Sequence, residues 1–204
     1  MGKKDQQDFF RRLGLLQRPF FELSEVGQPL YPTYWRDINT MTAAYGHGIA
    51  VSPLQMASAI SATINGGHLL PATLSADDPV FYEPNERVFS EEVSEKMRAL
   101  MRLTVTEGTG KQANVPGYLV GGKTGTAEKA GVGAYQEHAL MSSFVGVFPM
   151  DAPQYLVLIV VDEPTDTKDT FNFAGGGWVA APSVGRVIAR IAPLLGVKSI
   201  EEEV

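Results

Sequence analysis

The sequence contains no cysteine, which excludes a disulfide framework and any metal site built on thiolates. It also lacks a basic excess, because 17 lysines and arginines stand against 23 aspartates and glutamates, for a formal net charge of −6. Nucleic-acid binding needs a clustered basic surface, so we expect no nucleic-acid partner. The three histidines, His47, His68 and His138, share no metal-ligand spacing, and we predict neither a metal site nor a cofactor.

Long hydrophobic runs are missing as well. The longest strongly apolar segment, 155–161 (YLVLIVV), is far shorter than the roughly 20 residues that cross a bilayer as a helix, and it is predicted to be a buried strand. The first residues, MGKKDQQ, have no apolar stretch after their lysines, so we do not expect them to form a secretory signal peptide. With 44% hydrophobic and 20% charged residues, a single globular domain is the expected organisation.

The helix signals come mostly in the first half of the chain. Helices are expected at 5–13, from Pro53 to the Asn65-Gly-Gly67 turn, and from Glu91 to about Thr106. The second has the clearest start, with Ser52 as N-cap, proline at the first position and a glutamine placed to bond back to the cap. Residues 17–39 contain several prolines and glycines, which predicts an irregular connection.

The second half changes to strand signals. Strands are expected at 117–125, 140–148 and 154–161, and the hairpin-length loop between the last two indicates antiparallel pairing. A final helix from about Pro182 has one apolar stripe that should lie on the sheet, and Trp178 before it is expected in the core. The stripe consists of Val184, Val187, Ile188 and Ile191. This order predicts an α+β fold, with an antiparallel sheet flanked by helices.

The segment 121–129 (GGKTGTAEK) matches two motifs with different chemistry. Read from Gly117, it fits the phosphate-binding loop G-x-x-x-x-G-K-[ST], whereas Lys123-Thr-Gly125 alone is the K-T-G strand of penicillin-recognising acyl-serine enzymes. A phosphate loop needs an apolar strand before it and a helix after its lysine. Here the preceding residues are polar and end in Pro116, and glycines follow Thr124. The flanks therefore favour a strand whose lysine faces a cleft.

Further segments carry a family resemblance. The segments RLGLLQRP, YGHGIAVSPLQMASAISATINGG, GGKTGTAEK, and SFVGVFP followed by YLVLIVVDEP occur in this order. They resemble the transpeptidase domains of class B penicillin-binding proteins, most closely the division-specific FtsI type, over roughly residues 5–197. The resemblance implies a domain that cross-links peptidoglycan stem peptides ending in D-Ala-D-Ala and that β-lactams acylate. It also implies a periplasmic location at the bacterial inner membrane and partners in the division complex.

The same resemblance assigns roles to the K-T-G strand. Lys123 would face the terminal carboxylate of the substrate and the polar network around a serine. Thr124 and Thr126 would offer hydroxyls to the substrate, with the Thr126 hydroxyl near that carboxylate. The backbone N–H of Thr126 would be one of two oxyanion donors, and Gly125 would permit close approach of the substrate. The predicted catalytic residues are thus Lys123 and Thr126, and the predicted substrate-binding residues are Thr124, Gly125 and Thr126.

Two motifs of that family do not occur in this sequence. No serine has lysine three residues later or asparagine two residues later, so neither Ser-x-x-Lys nor Ser-x-Asn is present. In the family both motifs lie upstream of the segment that begins here. We therefore expect residues 3–198 to be the C-terminal portion of a transpeptidase domain, followed by an acidic tail at 199–204. The chain then has no nucleophile of its own, needs the upstream portion as a partner, and is predicted inactive alone.

Some alternatives remain open at this point. Ala181-Pro-Ser183-Val-Gly185 is one letter from the nucleophile elbow G-x-S-x-G, but the proline favours the first turn of a helix, so Ser183 is predicted to be structural. A β-lactamase or D,D-carboxypeptidase shares the K-T-G strand and uses water as the acceptor. A non-catalytic fragment or interaction module would also fit the missing motifs.

Overall fold

The computed structural model describes residues 2–75, 87–130, 135–165, 167–168 and 173–200, with the backbone alone for 130 and 135–138. Within these residues the chain forms five α-helices, one 3-10 helix and three strands, in an order that confirms the α+β prediction. The α-helices are α1 Lys3–Arg12, α2 Asp37–Ala43, α3 Pro53–Ile64, α4 Glu91–Thr106 and α5 Gly176–Leu194. The strands are β1 Gly121–Ala130, β2 Tyr135–Phe148 and β3 Tyr155–Asp162, and the 3-10 helix is Lys111–Ala113.

The chain divides into two compact units, Met1–Glu95 and Lys96–Val204. None of the helices in the described part of the chain is long and apolar enough to cross a membrane. The predicted acidic tail lies largely outside the described residues. Its first two residues are fixed in the second unit, where the Ile200 N–H donates to the Gly117 carbonyl at 2.8 Å.

The first unit has a small apolar core around α1. Phe9 and Phe10 pack against a cluster that contains Leu13 and Ala59, and the rings of Phe9 and Phe89 meet edge to face at 5.5 Å. Gly14 follows the helix with φ +73°, a conformation that glycine adopts without steric cost. The helix predicted at 5–13 is therefore confirmed, although it begins two residues earlier.

Helix α3 begins as its sequence predicts. The Gln55 N–H donates to Ser52 Oγ at 3.2 Å, and Gln55 Oε1 accepts from the Ser52 N–H at 3.1 Å, which completes the capping box. Gln55 is only 4% exposed, and its Nε2 donates to the carbonyls of Gly14 and Gln17, both at 3.0 Å. The buried Gln55 side chain therefore satisfies carbonyls of the turn that follows α1.

Helix α2 was not predicted, because it begins within the segment expected to be irregular. Its start carries no serine or threonine cap. Instead, the Asn39 side chain accepts from the Arg36 N–H at 2.8 Å, and Trp35 Nε1 donates to Thr40 Oγ1 at 3.0 Å. The prolines and glycines of 17–39 predicted no helix there, and the asparagine at the third helical position gave no signal that outweighed them.

In the second unit the three strands form an antiparallel sheet in the order β1-β2-β3. The first strand begins at Gly121 rather than 117, because Gly117 and Leu119 have φ values of +84° and +43°, which a strand cannot contain. The predicted meander and the loop at 149–153 are confirmed. The Phe148–Pro149 peptide bond is cis.

Strand β3 is less buried than its apolar sequence predicted. Its residues are half-buried or exposed, and Val160 is 38% exposed. The expectation of a buried strand is wrong because β3 lies at an edge of the described sheet. Tyr155, Val157 and Ile159, which share one face, pack against the core cluster that contains Phe144 and Phe148.

Helix α5 covers that face. Val184 and Ile188 are fully buried with Phe144 and Phe148, and Ile191 packs beside them, as the stripe predicted. The predicted start at Pro182 is wrong, because the helix begins at Gly176 and Pro182 lies inside it. Gly176 and Gly177 belong to its first turn, where close packing against neighbouring backbone requires glycine. Trp178 is 37% exposed, so its expected place in the core is also wrong.

Candidate active site

Strand β1 presents one free edge, because β2 pairs with its other side within the described sheet. Side chains alternate along a strand, so Lys123 and Gly125 lie on one face, and Thr124 and Thr126 lie on the other. Lys123 Nζ donates to the Thr124 carbonyl at 2.8 Å, which places this carbonyl on the side that β2 leaves open. Backbone groups alternate in the same way, and the N–H of Thr126 is therefore directed to the free edge.

The Thr126 hydroxyl has a defined orientation. Its oxygen accepts a hydrogen bond from the backbone N–H of Gly176, the first residue of α5, at 3.0 Å. Because a hydroxyl has one proton and that contact uses a lone pair, the proton of Thr126 remains for another acceptor. The Thr126 side chain is exposed, so this acceptor can be a group of a ligand.

Thr124 and Lys123 extend this polar group. The hydroxyls of Thr124 and Thr109 are 3.2 Å apart, and Lys123 Nζ lies 3.5 Å from Thr124 Oγ1. The ammonium of Lys123 is exposed rather than buried. One cation and two hydroxyls thus lie along the free edge of β1, a combination suited to a carboxylate.

An open trough of about 470 Å³ adjoins the two threonines. Its walls come from Thr124 and Thr126, from the 108–112 segment and from the first turn of α5, including Trp178. The Trp178 ring stacks on Phe173, with centroids 6.3 Å apart. A second cavity, of about 280 Å³, lies in the first unit, is mainly apolar and contains none of the predicted site residues.

Glycines allow α5 to begin this close to the sheet. A Cβ on Gly176 would lie 2.2 Å from the Ser143 carbonyl oxygen and 2.6 Å from that of Gly125. A Cβ on Gly177 would lie 2.5 Å from the Thr109 carbonyl oxygen. Backbone atoms cannot yield as a flexible side chain can, so the Gly175–Gly177 run is what brings the Gly176 N–H to Thr126.

Gly125 is constrained by the sheet itself. A Cβ there would lie 2.5 Å from Ser143 Oγ on the paired strand. Its predicted role in substrate approach remains a prediction. The sequence did not predict three residues of the site, Thr109, Gly176 and Trp178, because they come from segments far from the K-T-G motif. Of these segments, only the glycine run 175–177 was a feature that the sequence could reveal.

Among the described residues of the second unit, no serine lies beside the free edge of β1 in a position suited to a nucleophile. Ser142 is buried and its hydroxyl donates to the Ala174 carbonyl. Ser143 faces Gly125 across the ladder. Ser183 lies inside α5, where its Oγ is 3.5 Å from the Val179 carbonyl oxygen and accepts from Arg186 at 3.0 Å. It is structural, although not in the first helical turn.

The comparison with known families decides between the two motifs of Lys123. A sequence model of the penicillin-binding protein transpeptidase domain matches residues 1–188. The chain belongs to this family. Lys123 lies within β1 and not at the head of a helix, which agrees with the K-T-G strand and excludes the phosphate-loop geometry.

Similar proteins agree with this family assignment. The probable peptidoglycan D,D-transpeptidase FtsI of Caulobacter vibrioides is 42% identical over 97% of the chain and 35% of its own length. Stage V sporulation protein D of Bacillus subtilis is 36% identical over 100% of the chain and 33% of its own length. The chain therefore spans about a third of the length of the curated relatives that it matches.

Solved structures place the fold in the same family. The transpeptidase domain of penicillin-binding protein 3 from Burkholderia pseudomallei superposes with a TM-score of 0.86 and 32% identity, over 99% of this chain and 60% of that one. Penicillin-binding protein 3 of Mycobacterium tuberculosis, solved as an ampicillin complex, superposes with a TM-score of 0.83 and 27% identity. That match covers 98% of this chain and 48% of the other.

Proposed function

We propose that the chain supplies the K-T-G side of the active site of a peptidoglycan D,D-transpeptidase that acts in septal wall synthesis. One observation carries the proposal: the free edge of β1 presents the Lys123 ammonium beside two hydroxyls, one of them oriented by Gly176. An extended peptide that ends in a carboxylate fits such an edge, because the backbone offers hydrogen bonds and the side chains offer a cation. The division role rests on the similarity to a protein named FtsI.

In the reaction of the intact parent, a serine oxygen attacks the carbonyl carbon of the penultimate D-alanine. The carbon–nitrogen bond to the last D-alanine breaks, and D-alanine leaves with a proton on its nitrogen. An amine of a second stem peptide then attacks the ester carbon, and the serine regains its proton. Thr126 contributes its backbone N–H to the oxyanion, and its hydroxyl and Lys123 hold the terminal carboxylate.

The chain itself supplies no serine for this reaction, since it contains neither Ser-x-x-Lys nor Ser-x-Asn. Removing one oxyanion donor typically costs about 10² to 10³ in rate, and removing the nucleophile abolishes the covalent route. The 204-residue polypeptide alone is therefore expected neither to transfer peptides nor to react with penicillin. The intact parent would bind stem peptides and β-lactams at the periplasmic side of the membrane, together with division-complex proteins.

Labelling with a fluorescent penicillin tests the proposal. The polypeptide alone should show no covalent band on a denaturing gel, and mixing it with the upstream portion of the same domain should restore the band. The matched control is the same mixture with Lys123→Met in this chain, which should label far more weakly. A band on the unmixed polypeptide would overturn the assignment of the nucleophile to the upstream portion.

Two alternatives are separated by related measurements. A mixture that is correctly folded yet remains unlabelled would favour a non-catalytic interaction module. Incubation of the intact parent with a D-Ala-D-Ala peptide and an excess of amine acceptor separates transfer from hydrolysis. A transpeptidase should form the amide product, whereas a carboxypeptidase or β-lactamase-type enzyme should form only the shortened acid.

A further inference from the structure

A three-residue ion cluster lies at the far end of the K-T-G strand. Lys129 Nζ is 3.0 Å from Asp162 Oδ1 and 2.8 Å from Glu163 Oε1. The Lys129 side chain is 30% exposed, less than those of its partners, at 60% and 57%. The two carboxylates belong to consecutive residues, so without the ammonium they would repel each other at short range.

The cluster joins the two outer strands of the described sheet. Lys129 belongs to β1, Asp162 is the last residue of β3, and β2 runs between them. Ala127, Met141 and Asp162 are aligned across the three strands, which places Asp162 on the same face as Lys123 and Lys129. The Lys129 side chain therefore crosses over β2 to reach its partners.

The position of Lys129 is also where the β1–β2 pairing changes. The register is regular up to the pair Glu128–Leu140 and shifts before the pair Ala130–Tyr135, so Lys129 lies opposite a stretch in which β2 has the extra residues. Such an irregularity interrupts the ladder and changes the local bend and twist of the strand pair. The ion cluster is therefore a contact that holds β1 at a point where its pairing with β2 is irregular.

Glu163 is held in an unusual conformation on the other side. Its φ is +49°, which is uncommon for a residue other than glycine, asparagine or aspartate. Its N–H donates to the Leu140 carbonyl at 2.8 Å, and its carboxylate meets Lys129. These contacts tie Glu163 to β2 through its backbone and to Lys129 through its carboxylate.

We propose that Lys129 is a positioning residue, which holds the distal part of the β1 edge in the direction that an extended stem peptide follows beyond Thr126. The proposal rests on the proposed function of that edge. Lys129 is three residues from Thr126, or about 10 Å along the strand. A peptide substrate would run past this point, whereas a penicillin, which is shorter, occupies mainly the part near Thr126.

The test compares Lys129→Met, which removes the charge at similar length, with Lys129→Arg, which keeps the cation. Lys3→Met is the matched control, because it removes another exposed ion pair, with Asp37 at 3.0 Å, in the first unit. Hydrogen–deuterium exchange in the intact parent should rise about tenfold for the amides of Gly125 and Ala127, which face β2, in the Met variant only. KM for a D-Ala-D-Ala stem peptide should rise about tenfold with kcat nearly unchanged, and the Arg variant should recover both.

Each outcome decides one claim. Unchanged exchange and unchanged KM in Lys129→Met overturn the positioning role, and so does a parallel loss of kcat and thermal stability, which would indicate a general structural role. Penicillin acylation by the Met variant should change less than about threefold, since the shorter ligand does not depend on the distal edge. If the unsubstituted parent is not acylated at all, the proposed function fails instead, and the exchange measurement still decides whether Lys129 fixes the strand.

Discussion

The backbone N–H of Gly176 donates a hydrogen bond to the hydroxyl of Thr126 at 3.0 Å, and this contact links the start of α5 to the K-T-G strand. It fixes the threonine oxygen as an acceptor and leaves its proton for a ligand. The first turn of a helix also carries a partial positive charge, which favours an anion near the same hydroxyl. The helix start therefore contributes to the site although no residue of α5 belongs to the motif.

Substituting Gly176→Ala should lower both the thermal stability of the chain and the penicillin labelling of the intact parent. The new Cβ would lie 2.2 Å from the Ser143 carbonyl oxygen, so the helix start must move away from β1. Overpacking of this kind costs about 1–3 kcal/mol, and thermal unfolding of the chain should shift down by several degrees. Gly27→Ala is the control, since nothing lies within 4 Å of a Cβ there. Equal unfolding temperatures for the two variants would contradict the packing argument.

The Thr126 hydroxyl can be removed with little change of shape. Thr126→Val leaves the Gly176 N–H without its acceptor and takes away a donor to the proposed carboxylate. A hydrogen bond to a charged group contributes about 1.5–3 kcal/mol, so acylation of the intact parent by penicillin should slow about tenfold or more. Thr126→Ser keeps the hydroxyl and should stay within about threefold. Similar rates for Val and Ser would show that the hydroxyl is not used.

Gln55 supports the first unit from a buried position. Replacing it with leucine would leave the Gly14 and Gln17 carbonyls unpaired and remove the acceptor from the capping box. We expect a loss of about 1–3 kcal/mol in the free energy of unfolding, measured by urea titration. Gln28→Leu, at an exposed position, should be nearly neutral. A loss no larger than in that control would contradict the role given to Gln55.

Acid should weaken one contact in the first unit. The Thr73 hydroxyl is the main cause that lowers the pKa of Glu22 below its usual 4.5, and the Leu74 N–H, 3.2 Å from the carboxylate, adds to it. Since the folded pKa is below the unfolded one, the stabilisation is present above the unfolded pKa and is lost as pH falls through the folded pKa. Thermal unfolding of wild type and Glu22→Gln should differ at about pH 6, and the difference should shrink as the pH falls below the unfolded pKa. A constant difference would show that ionisation of Glu22 is not involved.

The sequence predicted those parts of the fold that depend on local chemistry. The capping residues Ser52 and Gln55, the period-2 strands and the apolar stripe of α5 all correspond to observed structure, because caps and periodicity act within a few residues. The start of α5 could not be predicted in this way. The glycines at 175–177 disfavour a helix locally, and only packing against the backbone of Ser143 and Gly125 makes them necessary.

The same contrast between local sequence signals and tertiary packing applies to the site. Lys123, Thr124 and Thr126 lie within four consecutive residues, and their arrangement on a free edge follows from the strand alone. Thr109 and Trp178 reach the same trough through the tertiary fold, from loops with no motif of their own. The exposure of β3 was also unpredictable, since an apolar sequence does not reveal whether a strand is central or at an edge.

The account depends most on Lys123 as the cation of a carboxylate-binding edge. The direct measurement is the second-order rate constant for acylation of the intact parent by a fluorescent penicillin, compared between wild type and Lys123→Met, with Lys3→Met as the control for an exposed lysine paired with Asp37. We expect Lys123→Met to lower the constant by about 10² or more, and Lys3→Met to change it by less than about threefold. An unchanged constant in Lys123→Met would contradict the account.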